Sequence, residues 1–552
     1  MTLFLKLKYV LLVILITYFS VSAMIHKGLP PSHDGESQIV RFYEFDKVLQ
    51  DGDIFPCWAP DLNQGFGIPL FNYVYPFPNY VASFFHLFSF SFIDAFKLSM
   101  FFAAIMGGIF FYLWSKEFWG NLGGLVSSIF YGFSPYHFVD LYIRGSIGEV
   151  WALAFFPAFL WAYTKFVKSK QKIFLVFSSI FLALIVFSHN ILALMFFIFS
   201  LSYISLLVYK EKNKKILILN TLCLIFLGLG LSAIFWLPAI YETKYATGLQ
   251  IFDVTSHFPD LYQLLIPSWG SGFSGTRMQN ELSYQIGIAN LLAIFLTTIV
   301  IFLQIKRRNK KLPFTLFFYA CFIFVFFLML SVSKPIWQTV PFMNYFQFPW
   351  RLLSLEILFA SFLSGSIFSL NIKSRFVSLF FAVFLIFIVF IFGIGYAKPA
   401  YYMYRDDSYY ISRSNFIDGT NSPGNVFNTI WMNGSLKKQK NKIAFAEGNG
   451  KIKLGVMKST NYNFNVLAEK NSKIIINTAY FPGWTSFIDG KQVGMKPNRD
   501  GLITFFVPKG EHDIMLKFMN TNIRKIAKIW SLITIILTLV MLVKLSYVKI
   551  KR

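Results

Sequence analysis

Long apolar runs alternate with short polar breaks through most of the 552-residue chain. A run of roughly 20 apolar residues spans a bilayer as a helix. The runs predict helices near 1–25, 92–114, 120–138, 147–167, 172–188, 191–209 and 215–237. Further ones are predicted near 284–304, 312–331, 349–370, 376–396 and 525–546, about twelve in all. Between 37 and 61, charged and apolar positions alternate. Ile39, Phe42, Tyr43 and Val48 fall on one face of a short amphipathic helix, expected to lie on the membrane. After Tyr73-Val74-Tyr75-Pro76-Phe77-Pro78, an apolar run extends to about residue 91. It is read as a juxtamembrane segment, because prolines oppose a straight crossing. A crossing there would also throw Lys116, Lys165, Lys168, Lys170 and Lys172 to the outside.

The pattern changes at 397. Region 397–524 is the one soluble domain, polar and aromatic at first, then built of short strands from about 440. Segments 451–456, 473–478, 502–507 and 512–518 alternate or run apolar between turns at Asp489-Gly490, Asp500-Gly501 and Pro508-Lys509-Gly510. The expected fold is a small antiparallel β-sandwich. The chain thus divides into a transmembrane part, 1–396, with an outer loop at 26–91, then the soluble region 397–524. A last helix and basic tail, 525–552, follow. The fold class is a polytopic α-helical membrane protein with an extracytoplasmic C-terminal β-sandwich.

Composition agrees with that reading: 56% of residues are hydrophobic, 20% aromatic and 14% charged, with mean hydropathy +0.56. Soluble domains run nearer 25% charged. The net charge of +25 is explained by topology, since cytoplasmic loops collect Lys and Arg. The basic groups 210–215, 306–311, Lys373 with Arg375, and the tail all fall inside on this alternation, as do both termini. Loops 139–146, 238–283 and 332–348 and the β-domain fall outside, so a multi-pass plasma-membrane protein is expected. The first run, with Lys6 and Lys8 ahead of it and Val21-Ser22-Ala23 at its end, resembles a signal peptide and is read as an uncleaved anchor. Anionic lipids or a lipid phosphate explain the basic balance better than nucleic acid, which is not an expected partner. Cys57, Cys223 and Cys321 form no disulfide framework or zinc spacing. HExxH, P-loop and GxSxG motifs are absent from the sequence.

Four constellations could carry chemistry. His33-Asp34-Gly35-Glu36 opens the outer loop; a carboxylate there can act as general base, hold a divalent metal, or simply begin a solvated loop. Arg144-Gly145-Ser146-Ile147-Gly148-Glu149 offers a guanidinium for a phosphate, or an Arg144–Glu149 ion pair. Ser188-His189-Asn190 could hydrogen-bond a sugar or phosphate, or cap a helix. Gln347-Phe348-Pro349-Trp350-Arg351 could bind an anionic head group through Arg351 and a sugar through Trp350. The same two residues could instead anchor the helix at the interface.

Taken in order, these motifs resemble a known family. His33-Asp34-Gly35, Trp58-Ala59-Pro60-Asp61-Leu62, Gly65-Phe66-Gly67-Ile68-Pro69-Leu70-Phe71-Asn72 and Tyr75-Pro76 are similar to the start of the 6-pyruvoyl-tetrahydropterin synthase-related membrane proteins. Arg144-Gly145, Glu149, Ser188-His189-Asn190 and Gln347-Phe348-Pro349-Trp350-Arg351 recur there in the same order. Tyr480-Phe481-Pro482-Gly483-Trp484 with Asp489-Gly490-Lys491 resembles the outer domain of the YfhO-like membrane proteins. The sequence contains no pterin-synthase metal site. Both groups resemble the GT-C class of membrane glycosyltransferases. That resemblance implies a polyprenyl-phosphate-linked sugar donor, a cell-envelope acceptor, and an acidic residue of the first outer loop as base or metal ligand. On that pattern Asp34 is the expected catalytic residue and the ligand of any divalent cation, Mg or Mn. His33, Glu36, Arg144, Glu149, His189, Asn190, Trp350 and Arg351 are the expected substrate-binding set. A transporter and a non-catalytic assembly protein remain the alternatives. The first class often carries inverted repeats, and no internal repeat is evident here.

Overall fold

The computed structural model describes residues 2–248, 254–276, 280–370, 374–412, 427–432, 436 and 439–550. Among the described residues, ten helices are long and apolar enough to cross a membrane. The longest, Phe92–Gly132, is broken at Gly120 (φ 74°, ψ −177°), a left-handed conformation that glycine adopts without strain. Counting that element twice and adding the 17-residue Lys172–Ser188 makes twelve, the number the hydropathy pattern predicts. The most enclosed spans are Ile147–Ser169 and Pro349–Leu370, 83% and 89% buried; the others surround them and show apolar faces outward. Phe92–Gly132 packs against Ile147–Ser169 at Gly107, which faces Ala154.

Two expectations need correction. The stretch 139–146 is not a polar outer loop. Val139–Arg144 is a π-helical turn with every residue buried, because Asp140 and Arg144, four apart, neutralise each other. The helix Gly35–Gln50 forms as predicted, but its apolar face is turned into the protein rather than onto lipid. Ile39, Phe42 and Val48 are buried, and Phe42 meets Phe92 while Phe45 meets Phe71 and Tyr80. Region 349–370 is an α-helix (Leu353–Ser364) with a 3-10 turn at each end, the first set by Pro349. The juxtamembrane segment is the short helix Phe77–His86.

Among the described residues, the C-terminal region holds nine strands: β1 (Ile443–Glu447), β2 (Gly450–Met457), β3 (Asn461–Ala468), β4 (Ser472–Ala479), β5 (Trp484–Ile488), β6 (Lys491–Val493), β7 (Lys496–Pro497), β8 (Leu502–Val507) and β9 (Gly510–Phe518). They form two antiparallel sheets, ordered β1-β4-β8-β7 and β2-β3-β9-β5-β6. Apolar residues of both sheets, such as Ile474, Ile503 and Phe505 facing Phe464, Leu516 and Trp484, share one core. That core also takes in Trp58 and Phe66 from the outer loop; Trp58 lies 5.5 Å from Trp484, edge to face. Ala479 N–H donates to the Phe66 carbonyl at 2.8 Å. Gly67 permits this, since a Cβ there would overlap the Trp58 indole at 2.5 Å.

A buried ion pair joins the same parts. Glu242 receives Arg524 Nε at 3.0 Å and Nη2 at 2.7 Å, Asn72 Nδ2 at 3.0 Å and Thr521 Oγ1 at 2.6 Å. Outer loop, the chain after Ala233–Tyr241 and the base of the last helix, Asn522–Ile550, are thus tied at one point.

Candidate functional site

Four of the predicted segments meet at one end of Ile147–Ser169. Glu149 sits in the first turn of that helix, where a carboxylate is favoured by the helix dipole. Its Oε1 accepts from Arg144 Nη2 at 2.6 Å, lies 3.1 Å from Arg351 Nε, and lies 3.8 Å from His189 Nε2. Its Oε2 accepts from the Tyr136 hydroxyl at 2.9 Å. Arg144 Nη1 donates to Asp140, and Arg351 Nη1 donates to Gln347 Oε1 at 2.7 Å and the Phe346 carbonyl at 3.1 Å. The Arg144 and Arg351 guanidiniums stand 5.0 and 5.8 Å from the Trp350 ring. All these side chains are nearly excluded from water: Glu149 is 0%, Arg351 5% and Arg144 7% exposed. Buried charges persist only when paired and hydrogen-bonded.

Backbone bonds hold the outer loop against this cluster. His33 N–H donates to the Ile143 carbonyl and Asp34 N–H to the Arg144 carbonyl, both at 2.9 Å. Gly145, with φ 65°, ends the π-helical turn, and a Cβ there would strike Ser32 Oγ at 2.5 Å and Gly35 N at 3.0 Å. Asp34 is therefore fixed relative to Arg144 by main chain. It precedes the helix Gly35–Gln50, and its half-buried carboxylate makes no hydrogen bond or ion pair among the described residues. Tyr75 completes the junction. Its ring lies 5.1 Å from that of His189 and against Gly148, where a Cβ would overlap it at 2.3 Å. Burial pushes the Tyr75 phenol up to about 12; the Arg41 guanidinium opposes this, while the Asp34 and Glu149 carboxylates add to it. The phenol is accordingly a neutral hydrogen-bonding group lying within electrostatic reach of both acids.

The other predicted residues take different places. His33 Nε2–H donates to the Ser271 carbonyl at 2.8 Å, and its ring stacks on Phe273 at 4.5 Å, so the segment 254–276 lies over the loop. Glu36 turns to Arg405, 3.8 Å away, rather than to the cluster. Asn190 donates to the Tyr73 carbonyl at 2.9 Å, a tether to the outer loop. His189 caps its helix, Nδ1 accepting from Leu192 N–H at 3.3 Å. Trp350 is buried between the two arginines, not exposed as an interface anchor. Trp484 is a core residue of the sandwich. The sequence reading missed Tyr136, Asp140, Gly148 and Tyr75; only Asp140 had a spacing, four before Arg144, that points to its partner.

Among the described residues, no three His, Cys, Asp or Glu side chains are grouped to hold a metal ion. Asp34 by itself does not amount to a protein-built cation site; a second carboxylate, that of Glu356, is fully buried without a hydrogen-bond partner among the described residues.

Among the described residues, the apolar helices and an enclosed arginine–carboxylate cluster beside an acid without a partner define a multi-pass membrane protein with a charged site at one end of its bundle. The chain belongs to the 6-pyruvoyl-tetrahydropterin synthase related membrane proteins, whose family model matches residues 71–396. An uncharacterized protein of Lactococcus lactis subsp. cremoris (strain MG1363) is 22% identical over 335 residues, 58% of this chain and 53% of that one. The chain thus spans about half the length of this relative. The Archaeoglobus fulgidus oligosaccharyltransferase in its apo form aligns over 75% of this chain and 59% of its own, with 13% identity and TM-score 0.43. The same enzyme tethered to an acceptor peptide containing the NVT sequon aligns over 72% and 56%, with 12% identity and TM-score 0.44.

Proposed function

We propose that the protein is a membrane glycosyltransferase that moves a sugar from a polyprenyl-phosphate donor to a cell-envelope acceptor at the outer face. The observation that carries this reading is the main-chain bond from Asp34 to the Arg144 carbonyl, which fixes an acid with no hydrogen-bond or ion-pair partner among the described residues beside the enclosed Arg144–Glu149–Arg351 cluster. Glycosyl transfer from a lipid phosphate needs a base for the acceptor hydroxyl and cations for the departing phosphate. A guanidinium fork matches phosphate oxygens in pairs, and in a dry site it needs little reorganisation.

In the proposed reaction the Asp34 carboxylate takes the proton of the acceptor hydroxyl. The hydroxyl oxygen forms a bond to the anomeric carbon as the bond from that carbon to the lipid phosphate breaks. The phosphate leaves with the electron pair, and Arg351 and Arg144 stabilise its charge. A single displacement inverts the anomeric configuration. Tyr75 and Glu149 position rather than react: Glu149 orients both arginines, and Tyr75 spaces the outer loop from Gly148. No step is assigned to a divalent cation.

The test is a cell-envelope glycan profile by mass spectrometry in a deletion strain. The deletion is complemented with wild type or Asp34→Asn at matched membrane levels. The expected result is loss of one sugar that wild type restores and Asp34→Asn does not. Full restoration by Asp34→Asn would overturn the catalytic assignment and favour a transport or assembly role.

A further inference from the structure

The helix Ile147–Ser169 carries Glu149 at one end and Lys168 near the other, about 28 Å away at the rise of an α-helix. A second charged cluster lies there, far from the site described above. Glu117 is its centre. Lys165 Nζ is 2.8 Å from Oε1 and Lys168 Nζ 3.3 Å from Oε2, and Lys168 also donates to the Glu117 carbonyl. Lys168 and Lys311 stand 4.9 and 5.9 Å from the centre of the Phe118 ring. Phe118 packs edge to face with Phe314 at 4.9 Å, and Lys210 stands 5.0 Å from that ring. Lys116, beside Glu117 in the chain, lies over Tyr112 at 4.8 Å.

Five ammonium groups from four separate elements thus gather around one carboxylate and three rings, Phe118, Phe314 and Tyr112. A topological excess of lysine needs no such convergence, since separate solvated side chains satisfy it equally well. The exposures are graded as well. The Glu117 side chain is 12% exposed, whereas Lys165 and Lys168 are 35% and 42% exposed. The internal counter-ion is sealed beneath, and the surplus cations are reachable from outside. Burial holds the Lys311 ammonium below the usual lysine range, and Glu117 opposes this.

We infer that this cluster binds the phosphate of an anionic phospholipid in the leaflet at that end of the bundle. A lipid fits better than a soluble anion because the cations sit where helices end, next to outward apolar side chains. Leu316, 43% exposed, follows Lys311 by a little over one turn, and Tyr209, 77% exposed, precedes Lys210. The phosphate would sit among Lys165, Lys168 and Lys311, with the acyl chains running along the apolar surface beside them. Juxtamembrane lysines each add about 1 kcal/mol of attraction to an anionic headgroup.

The inference is independent of the transferase reading and needs no activity assay. The full chain in neutral detergent is exposed to equal amounts of phosphatidylglycerol and phosphatidylcholine, and retained lipid is counted by native mass spectrometry. Wild type is expected to retain phosphatidylglycerol preferentially, and Lys168→Gln/Lys311→Gln to weaken that retention roughly tenfold. Glu117→Gln removes the internal counter-ion and should strengthen retention, an effect of opposite sign that a folding defect would not produce. Equal retention of the two lipids, or no response to either variant, would overturn the inference. Displacement of phosphatidylglycerol by millimolar inorganic phosphate would overturn it too, by assigning the cluster to a soluble anion.

Discussion

Two buried glutamates, Glu149 and Glu242, each hold an arginine, yet their surroundings differ. Around Glu242 the pairing is closed. Arg524 grips it with two nitrogens, and Asn72 and Thr521 fill the remaining lone pairs. Around Glu149 three groups, from Arg144, Arg351 and His189, crowd a single oxygen. Two guanidiniums share that carboxylate, and Asp140, the second acid, is pushed upward by burial and then by Glu149 itself, with Arg144 opposing. The first arrangement is a latch between loop, sandwich and helix. In the second, two guanidiniums converge on one carboxylate oxygen, next to an acid with no partner among the described residues. A buried ion pair by itself is weak evidence for either stability or function; the stoichiometry of its donors and acceptors separates the two cases.

That contrast can be broken by substitution. Asp34→Asn should lower transfer by about 10²–10⁴-fold with little change in thermal stability, because the Asp34 main-chain bond to Arg144 is kept. Comparable activity in membranes at matched expression would remove Asp34 from the chemistry. Arg524→Leu should behave in the opposite way, costing about 3–5 kcal/mol of stability by stranding Glu242. Thermal unfolding monitored by intrinsic fluorescence reads this out, and an unshifted midpoint would show that the latch is dispensable. Arg351→Lys keeps the charge but loses the fork. It is expected to cost about 10²-fold in turnover and to move the unfolding midpoint less than Arg524→Leu does. Asn190→Ala removes only a tether to the Tyr73 carbonyl and should cost about 1 kcal/mol, measured in the same unfolding assay.

The smallest effect is expected at Asp489, on the exposed turn of the sandwich. His512 Nδ1 at 2.7 Å and the Asp513 N–H at 2.9 Å hold its carboxyl below the ordinary range. A depressed carboxyl stabilises the fold above its unfolded value, and that contribution is lost as pH falls through the folded one. Asp489→Asn should therefore flatten the acid limb of the stability profile slightly and leave neutral pH almost unchanged.

The helices were legible because a bilayer demands long apolar runs; Gly120, the break at Ser232 between Lys214–Leu231 and Ala233–Tyr241, the end of the second half of Phe92–Gly132 before Pro135, and the 3-10 turns around Leu353–Ser364 refine them. The sandwich was half legible. β2, β4, β8 and β9 match the apolar alternation, whereas β3 hides its alternation behind asparagines at 461, 463 and 465, residues depleted in strands. Strands β6 and β7, three and two residues long, carry too little pattern to be seen. At the site, an Arg144–Glu149 ion pair was one of the readings the sequence offered, His189 and Arg351 were visible as single residues near helix ends, and the structure forms that pair and brings the other two to it. Their convergence was not legible, because it depends on contacts across 200 positions of chain and on two glycines, Gly145 and Gly148, that admit the outer loop. The buried turn at 139–144 was misread because a charged pair that neutralises itself looks, residue by residue, like a polar loop.

The most direct test of the account is binding of a polyprenyl phosphate to the purified full chain, followed by native mass spectrometry, in wild type, Asp34→Asn, Arg351→Met and Arg524→Lys. The account predicts that Asp34→Asn binds as wild type does, since the acid acts on the acceptor, and that Arg351→Met loses at least tenfold. Arg524→Lys, which keeps a charge in the latch, should bind normally. Undiminished binding by Arg351→Met in a folded protein would contradict the claim that the Glu149 cluster is the phosphate site.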